Sequence, residues 1–377
     1  MNKSFWRKKI DITSKSVLYG LIIVFVINGI ASLIFLNFVF PSLATLPGLR
    51  IFFPGFPIIV NRTEEIRINE GIKAGEVHDQ LKRNIVTILR YRGTLDPREE
   101  GFTGADLSNG IIATSDGIIL ATKEGVGNPN LDKLLVIAND GNFFEATVLK
   151  FDPISDLVIL GSEAKNLPVA NFGNSGDLLI GDKLLAILPS LNRTNGSVEV
   201  VDFKKNARTI EMYPKYYSSD AINEYLDIFP ELSLDNTSAV IGDRNSRVVG
   251  FHTSEGILTG EFLLSTVSKF LNEQDLVRVK MGVNYISIIP SVSAFLGLPE
   301  NYGALVLSAP GKPAVTFGSN AAKSGLREND FIYKINERVI NEQNSFERLI
   351  YDLVVGSEVQ IYFYRDGEQS SLTFVLE

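Results

Sequence analysis

Apolar residues follow three different spacings along this chain, and each spacing predicts a different kind of element. The first is an uncharged run from Val17 to Phe40, about 24 residues, long enough as a helix to cross a hydrocarbon core of ~30 Å. Lys3, Arg7, Lys8, Lys9 and Lys15 precede it, so residues 1–16 are expected to stay in the cytoplasm and everything after the run to lie outside it. The apolar part of a cleavable signal peptide spans only ~7–15 residues. The run therefore reads as an uncleaved anchor over residues 17–40, with Ser42-Leu43-Ala44 as a weak alternative cleavage sequence.

The second spacing is helical. Residues 76–90 place Val77, Leu81, Ile85 and Ile88 on one face before merging into a strand-like Ile85 to Leu89. His78 lies beside that stripe and reads as a surface histidine with no task. Ahead of this helix, residues 41–75 carry Pro41, Pro47, Pro54 and Pro57, a density that excludes a long helix and predicts an extended linker. Its Phe52, Phe53 and Phe56 would face lipid or a neighbouring subunit. A later stretch, 264–274, sets Val267, Phe270 and Leu271 on one face with Ser265 as the expected cap.

The third spacing is that of short strands and turns. Gly110–Ala113 and Gly117–Ala121 flank Thr114-Ser115-Asp116, and Leu134–Ile137 and Phe144–Leu149 flank Asn139–Asn142. Such strands, repeating every ~8–12 residues, predict a sandwich or a barrel. The tyrosine-rich Tyr213-Pro214-Lys215-Tyr216-Tyr217 reads as packing within a loop.

Composition removes several chemistries. Residues 1–50 hold six of the 36 basic residues and one of the 44 acidic ones, which leaves −13 on the remainder. A surface of that sign repels a phosphate backbone, so no nucleic-acid partner is expected. Without cysteine there is no disulfide, thiolate metal site or thiol nucleophile, and two histidines leave little for metal or acid–base work. Neither a metal nor another cofactor is expected.

Several longer stretches carry a more specific signal. Glu231 to Phe251, ELSLDNTSAVIGDRNSRVVGF, joins a polar run to the strand Ala239-Val240-Ile241, a turn over Gly242 to Ser246, and a second strand Val248-Val249-Gly250-Phe251. Upstream stand Gly117 to Val126 (GIILATKEGV), Phe151 to Leu160 (FDPISDLVIL) and Leu167 to Ile187 (LPVANFGNSGDLLIGDKLLAI). Downstream come Lys280-Met281-Gly282-Val283 and Ala321 to Ile332 (AAKSGLRENDFI). In this order, over about residues 76–377, they resemble the HtrA (DegP-like) family of trypsin-fold serine proteases with C-terminal PDZ domains. The resemblance, with the anchor, implies a mainly β fold: an N-terminal transmembrane helix, a trypsin-like double β-barrel over 76–275 and an α+β PDZ domain over 276–377.

Set on that family's pattern, the catalytic histidine falls on Glu124, the aspartate on Asp156, the serine on Thr237, and a glycine that donates its amide to the oxyanion on Asp235. Only Asp156 matches. The triad needs an imidazole to take the nucleophile's proton and a carboxylate to orient it. A glutamate beside Asp156 instead sets two carboxylates together, with Lys123 as the nearby cation. The methyl group of Thr237 crowds its hydroxyl, and Asp235 adds negative charge where negative charge would develop. Sliding the register by one would make Ser238 the nucleophile, yet it displaces the strand anchor and supplies no histidine, since His252 follows on the far strand.

The C-terminal part keeps its pattern. Met281, Gly282 and Val283 form an apolar-Gly-apolar turn whose amides, in such domains, capture a peptide's terminal carboxylate while the following strand pairs with the peptide. That strand is expected over Val283 to Ile289 and includes Tyr285. Phe346, Leu349, Ile350 and Leu353 have helical spacing, with Leu349 and Ile350 forming the groove's apolar wall. Asn329 replaces a usual glycine and tolerates a left-handed backbone.

Two function classes follow. One is a membrane-anchored, extracytoplasmic homologue without proteolytic activity that binds unfolded or C-terminal peptides of envelope proteins, in quality control or as a scaffold, and assembles as a homotrimer. The other is an active serine-type endopeptidase of the cell envelope with atypical catalytic residues.

Overall fold

The computed structural model describes residues 14–35, 37, 70–92, 107–190, 198–206, 215–233 and 237–377. Residues 38–69, including the proline-rich linker with its phenylalanines, lie outside the described residues, as do Tyr213, Pro214 and Asp235. The chain separates into two compact units, 1–68 and 69–377. In the first, α1 (Ser14–Ile34) contains Val17–Ile34, long and apolar enough to cross a membrane.

The second unit opens with α2 (Glu70–Arg83), which starts six residues before the stretch expected from apolar spacing. Gly71 and Gly75 weaken the helical signal there, and the apolar stripe begins only at Val77. Val77 and Leu81 are buried as expected.

Six strands then close a barrel: β1 (Ile85–Tyr91), β2 (Leu107–Ile112), β3 (Ile118–Thr122), β4 (Lys133–Ile137), β5 (Phe143–Phe151) and β6 (Leu157–Ser162), in the order β1-β2-β3-β6-β5-β4. The four-residue helix α3 (Lys123–Val126) follows β3 directly. Next come β7 (Lys183–Ile187), β8 (Val198–Asn206), β9 (Tyr216–Ser218), β10 (Leu226–Phe229), β11 (Val240–Gly242), β12 (Val248–Thr253) and β13 (Gly256–Thr259). All but β9 form a second sheet, ordered β10-β8-β7-β11-β12-β13, whose ends meet at a bridge between Tyr225 and Leu258.

Period-two alternation sends each strand's side chains to two different cores. Val86, Ile88, Ile112, Ile119, Val158 and Leu160 fill the first barrel, whereas Ile85, Ile111, Leu120, Leu157 and Ile159 point between the two sheets and meet Leu185, Ile187, Val240, Val248 and Phe251. Leu184, Ala186, Val201, Phe203, Ile241 and Val249 take the inner face of the second sheet.

Helix α4 (Gly260–Glu273) covers the shared core with Phe262, Leu263, Val267 and Phe270. It begins well before Ser265, so Ser265 is not its cap. The N-cap position is Thr259, and Ser265 Oγ donates to the Tyr351 carbonyl at 3.3 Å. A Cβ on Gly260 would lie 2.3 Å from the Gly173 carbonyl oxygen, so the residue that reads as a helix breaker is what lets the helix dock.

The last sheet comprises β14 (Asn284–Ile288), β15 (Gly303–Val306), β16 (Phe331–Ile335), β17 (Arg338–Val339), β18 (Glu358–Arg365) and β19 (Glu368–Val375). Helices α5 (Pro290–Leu296), α6 (Asn320–Ser324) and α7 (Phe346–Tyr351) lie between its strands in sequence. The order is β19-β18-β16-β15-β14-β9, with β17 on β16. One edge strand, β9, is therefore contributed by the segment between the strands of the preceding sheet. Asn329 has φ +72°, the left-handed conformation expected of it.

Candidate functional site

The corner predicted to carry chemistry is assembled from the end of β3, the β5–β6 loop, the turn before β11 and the C-terminal end of β12. Thr122 caps α3 by accepting from the Gly125 amide at 3.1 Å, which leaves Glu124 exposed on the first turn. The Lys123 amide donates to the Asp156 carbonyl at 2.8 Å and its Nζ to the Ser155 carbonyl at 2.6 Å. Lys123 Nζ also lies 4.0 Å from the Asp156 carboxylate, and Ser254 Oγ, just beyond β12, donates to the other Asp156 oxygen. The partners of this carboxylate are thus a hydroxyl and an ammonium group. Burial, with the carboxylates of Glu255 and then Asp156 nearby, pushes the Tyr225 hydroxyl up to about 12.

Thr237 sits half-buried in the turn before β11. The turn is tied to β12 by the Ser238 amide donating to the His252 carbonyl (2.7 Å) and the His252 amide donating to the Ala239 carbonyl (2.9 Å). Ser238 has φ +70°, an uncommon conformation for a residue with a side chain. It is fully buried, and its Oγ accepts from the Asn109 amide at 2.9 Å. That hydroxyl braces the turn from inside. His252 is also buried. His78 lies half-buried on α2 with Nδ1 3.2 Å from Asp79, and its Nε2 is enclosed without a hydrogen-bond partner.

The second predicted site is the groove beside β14. Met281, Val283, Tyr285, Leu349 and Ile350 belong to one buried cluster. Gly282 has φ +74°, and a Cβ there would fall 2.2 Å from Ser319 Cβ, so only glycine fits the turn. Tyr285 packs edge-on against Phe346, with centroids 4.8 Å apart, and donates its hydroxyl to Glu347.

Sequence reasoning missed what pairs with β14 on this groove edge, the one away from β15. Strand β9 pairs with it antiparallel, setting Ser218 opposite Asn284, Tyr217 opposite Tyr285 and Tyr216 opposite Ile286. Beyond the pairing, the Gly282 amide donates to Asp220 Oδ1 and the Val283 amide to Ser219 Oγ, both at 2.9 Å. The Ser219 amide returns a bond to the Val283 carbonyl, also at 2.9 Å. The tyrosine-rich segment is therefore an edge strand rather than loop packing. Its signal was a short β-prone run, Tyr-Tyr-Ser-Ser, ending in an acid.

Two buried ionic clusters join this domain to the sheets before it. Arg278 donates to Asp152 through Nε (3.0 Å) and Nη2 (3.2 Å) and to Thr266 Oγ1 (2.6 Å), while its guanidinium lies over Phe262. Arg348 on α7 binds Glu224 (2.9 Å), Glu261 (2.6 Å) and Ser175 Oγ (2.9 Å). Lys269 Nζ, pressed below its usual range by burial and then by the Arg278 charge, donates to the Leu353 carbonyl at 2.5 Å. Among the described residues no group of three or more His, Asp and Glu side chains could hold a metal ion.

Fold and site together define a mainly β, trypsin-type barrel pair followed by a PDZ domain. The PDZ domain family matches residues 279–376. A probable periplasmic serine endoprotease, DegP-like, of Chlamydia muridarum is 28% identical over 268 residues, covering 69% of this chain and 51% of the relative. A protein of the same description from Marinomonas sp. is 23% identical over 296 residues, covering 76% and 60%. The chain thus spans about half the length of the first and somewhat more of the second. Among solved structures, the HtrA-type protease AlgW with a decapeptide matches at a TM-score of 0.51 and 18% identity, covering 80% of this chain and 97% of that one. AlgW with a tripeptide matches at 0.51 and 20%, covering 80% and 96%. The chain is thus similar to HtrA-type (DegP-like) proteins, with a trypsin-type fold and a C-terminal PDZ domain.

Proposed function

We propose that the chain is a membrane-anchored, extracytoplasmic HtrA-like protein that cleaves no peptide bond and binds unfolded or C-terminal peptides of envelope proteins through its PDZ domain, as a holder or scaffold in protein quality control. The observation that carries this reading is the company of Asp156, a Ser254 hydroxyl and a Lys123 ammonium where a triad needs an imidazole. Glu124, at the family's histidine position, is an acid and cannot relay a proton as imidazole does near neutral pH. The periplasmic description of the relatives and the apolar α1 support the anchor and its orientation, with residues 1–16 inside, 17–40 spanning, 41–75 as linker, 76–275 as the protease-like domain and 276–377 as the PDZ domain. The peptides named with AlgW support peptide binding. A homotrimer rests on the family resemblance alone.

The test is digestion of β-casein by the full-length protein in detergent, alongside labelling with a fluorophosphonate. No cleavage and no label are expected. Cleavage that vanishes in Thr237→Ala would establish the alternative, an active serine-type endopeptidase with atypical residues.

A further inference from the structure

The groove read above as a peptide site already holds a peptide, and that peptide is the chain itself. Along β14 the backbone groups of Asn284 point inward, its amide donating to the Ala314 carbonyl (2.8 Å) and its carbonyl accepting from the Leu307 amide (3.0 Å). Val283 and Tyr285, the alternate positions, therefore present the open edge to which an added strand bonds. Residues 216–219 use that edge. Tyr217 is buried opposite Tyr285, their rings 5.7 Å apart, and belongs to the same apolar cluster as Leu349 and Ile350. Where a peptide would end, the Asp220 carboxylate accepts from the Gly282 amide. A side-chain carboxylate stands in for a terminal one.

We propose that residues 216–220 are a built-in ligand that closes the PDZ groove, and that a free peptide binds by displacing them. The proposal rests on the peptide-binding reading above. The segment is closed on itself by a turn in which Asn223 Nδ2 donates to the Ser218 carbonyl at 2.7 Å. A displacing peptide must reproduce both features, an aromatic side chain two residues before its end and a free carboxylate in the Gly282 turn. An external ligand pays for the fraction of molecules whose groove is closed, because apparent affinity falls by the open population.

The chain has no cysteine, which makes the occlusion directly testable. Ser218 and Asn284 face each other at a pair that exchanges no backbone bonds, where Cα atoms lie about 4.5 Å apart, within the range a disulfide spans. In the full-length Ser218→Cys, Asn284→Cys variant, mild oxidation should give one intramolecular disulfide. The probe is a fluorescein-labelled Lys-Tyr-Tyr-Ser-Ser peptide with a free C-terminus. It should bind Tyr217→Ala, Asp220→Ala at least about tenfold more tightly than wild type, and should not bind the oxidised double-cysteine variant until that is reduced. Failure of the disulfide to form, or equal binding by oxidised, reduced and unlocked proteins, overturns the built-in ligand while leaving peptide binding intact. Absence of binding even in the unlocked variant overturns the gate and the peptide-binding reading together.

Discussion

The corner at Asp156 and the groove at Gly282 belong to one compact unit, yet they preserve opposite things. At the corner the backbone framework is intact: the Lys123 amide bonds the Asp156 carbonyl, the turn at Ser238 is laced to β12, and Ser254 holds the carboxylate. The side chains on that framework are Glu124 and Thr237, an acid and a hydroxyl. Beside β14, Met281, Val283, Tyr285, Leu349 and Ile350 share one buried cluster, Tyr217 pairs opposite Tyr285, and Asp220 accepts from the Gly282 amide. The contrast teaches that a fold keeps its turns through backbone bonding whether or not the side chains on them still serve chemistry.

The largest effect that would break this contrast is restored catalysis. Thr237→Ser alone is expected to restore nothing, since a serine without its base is nearly as poor as no serine, a loss on the order of 10⁶ in turnover for subtilisin. Glu124→His is expected to supply an imidazole near Asp156, but the family resemblance sets Asp235 at the oxyanion position, where its charge is expected to oppose the oxyanion, and one lost donor there costs ~10²–10³. Measurable β-casein digestion is therefore expected only in the triple variant Glu124→His, Asp235→Gly, Thr237→Ser. Activity in Thr237→Ser alone would mean that the corner already holds a base.

A smaller effect tests whether corner and groove share a foundation. Asp152 lies four residues before Asp156 and is fully buried against Arg278, which lies four residues before Gly282. Asp152→Ala strands a buried guanidinium, and breaking such a pair costs about 3–5 kcal/mol. Chemical denaturation of the detergent-solubilised protein should show that loss. The expected corollary is weaker probe binding in the unlocked groove, because Arg278 anchors the segment that leads into the Gly282 turn. A loss below about 1 kcal/mol would mean that the pair is hydrated and the two regions are independent.

Much of this was legible in the sequence. Several strands of the first barrel were legible because turn residues separate them, but their apolar runs, such as Ile118-Ile119-Leu120-Ala121, do not alternate. Both faces of these strands are buried, one inside a barrel and one between sheets, so periodicity could not say which residue faced which core. Gly260 hid the start of α4, because a glycine demanded by close approach looks the same in sequence as one that ends a helix. The corner residues were named by their positions in the family resemblance. The pairing of Tyr217 with Tyr285 was not legible, because it spans 68 residues and nothing local encodes that distance.

The smallest expected effect concerns the loop that braces the corner. Asp132 accepts from Arg92 Nε at 2.5 Å and from the Asn128 amide at 2.8 Å, just after the helix that presents Glu124. The hydrogen bond from Arg92 holds its carboxyl below the ordinary value, against an opposing push from burial. A carboxyl whose value is lower when folded favours folding most above its unfolded value of ~3.9, and that contribution is lost as pH falls through the folded value. Asp132→Asn should therefore lower the melting temperature at about pH 7, with the gap to wild type closing below about pH 4. Arg92 is largely exposed, so water screens its charge and the gap should be modest and shrink in salt. A gap that is the same at both pH values would mean that the Asp132 charge contributes nothing, and that the loop under Glu124 is held by shape and the backbone bond from Asn128 alone.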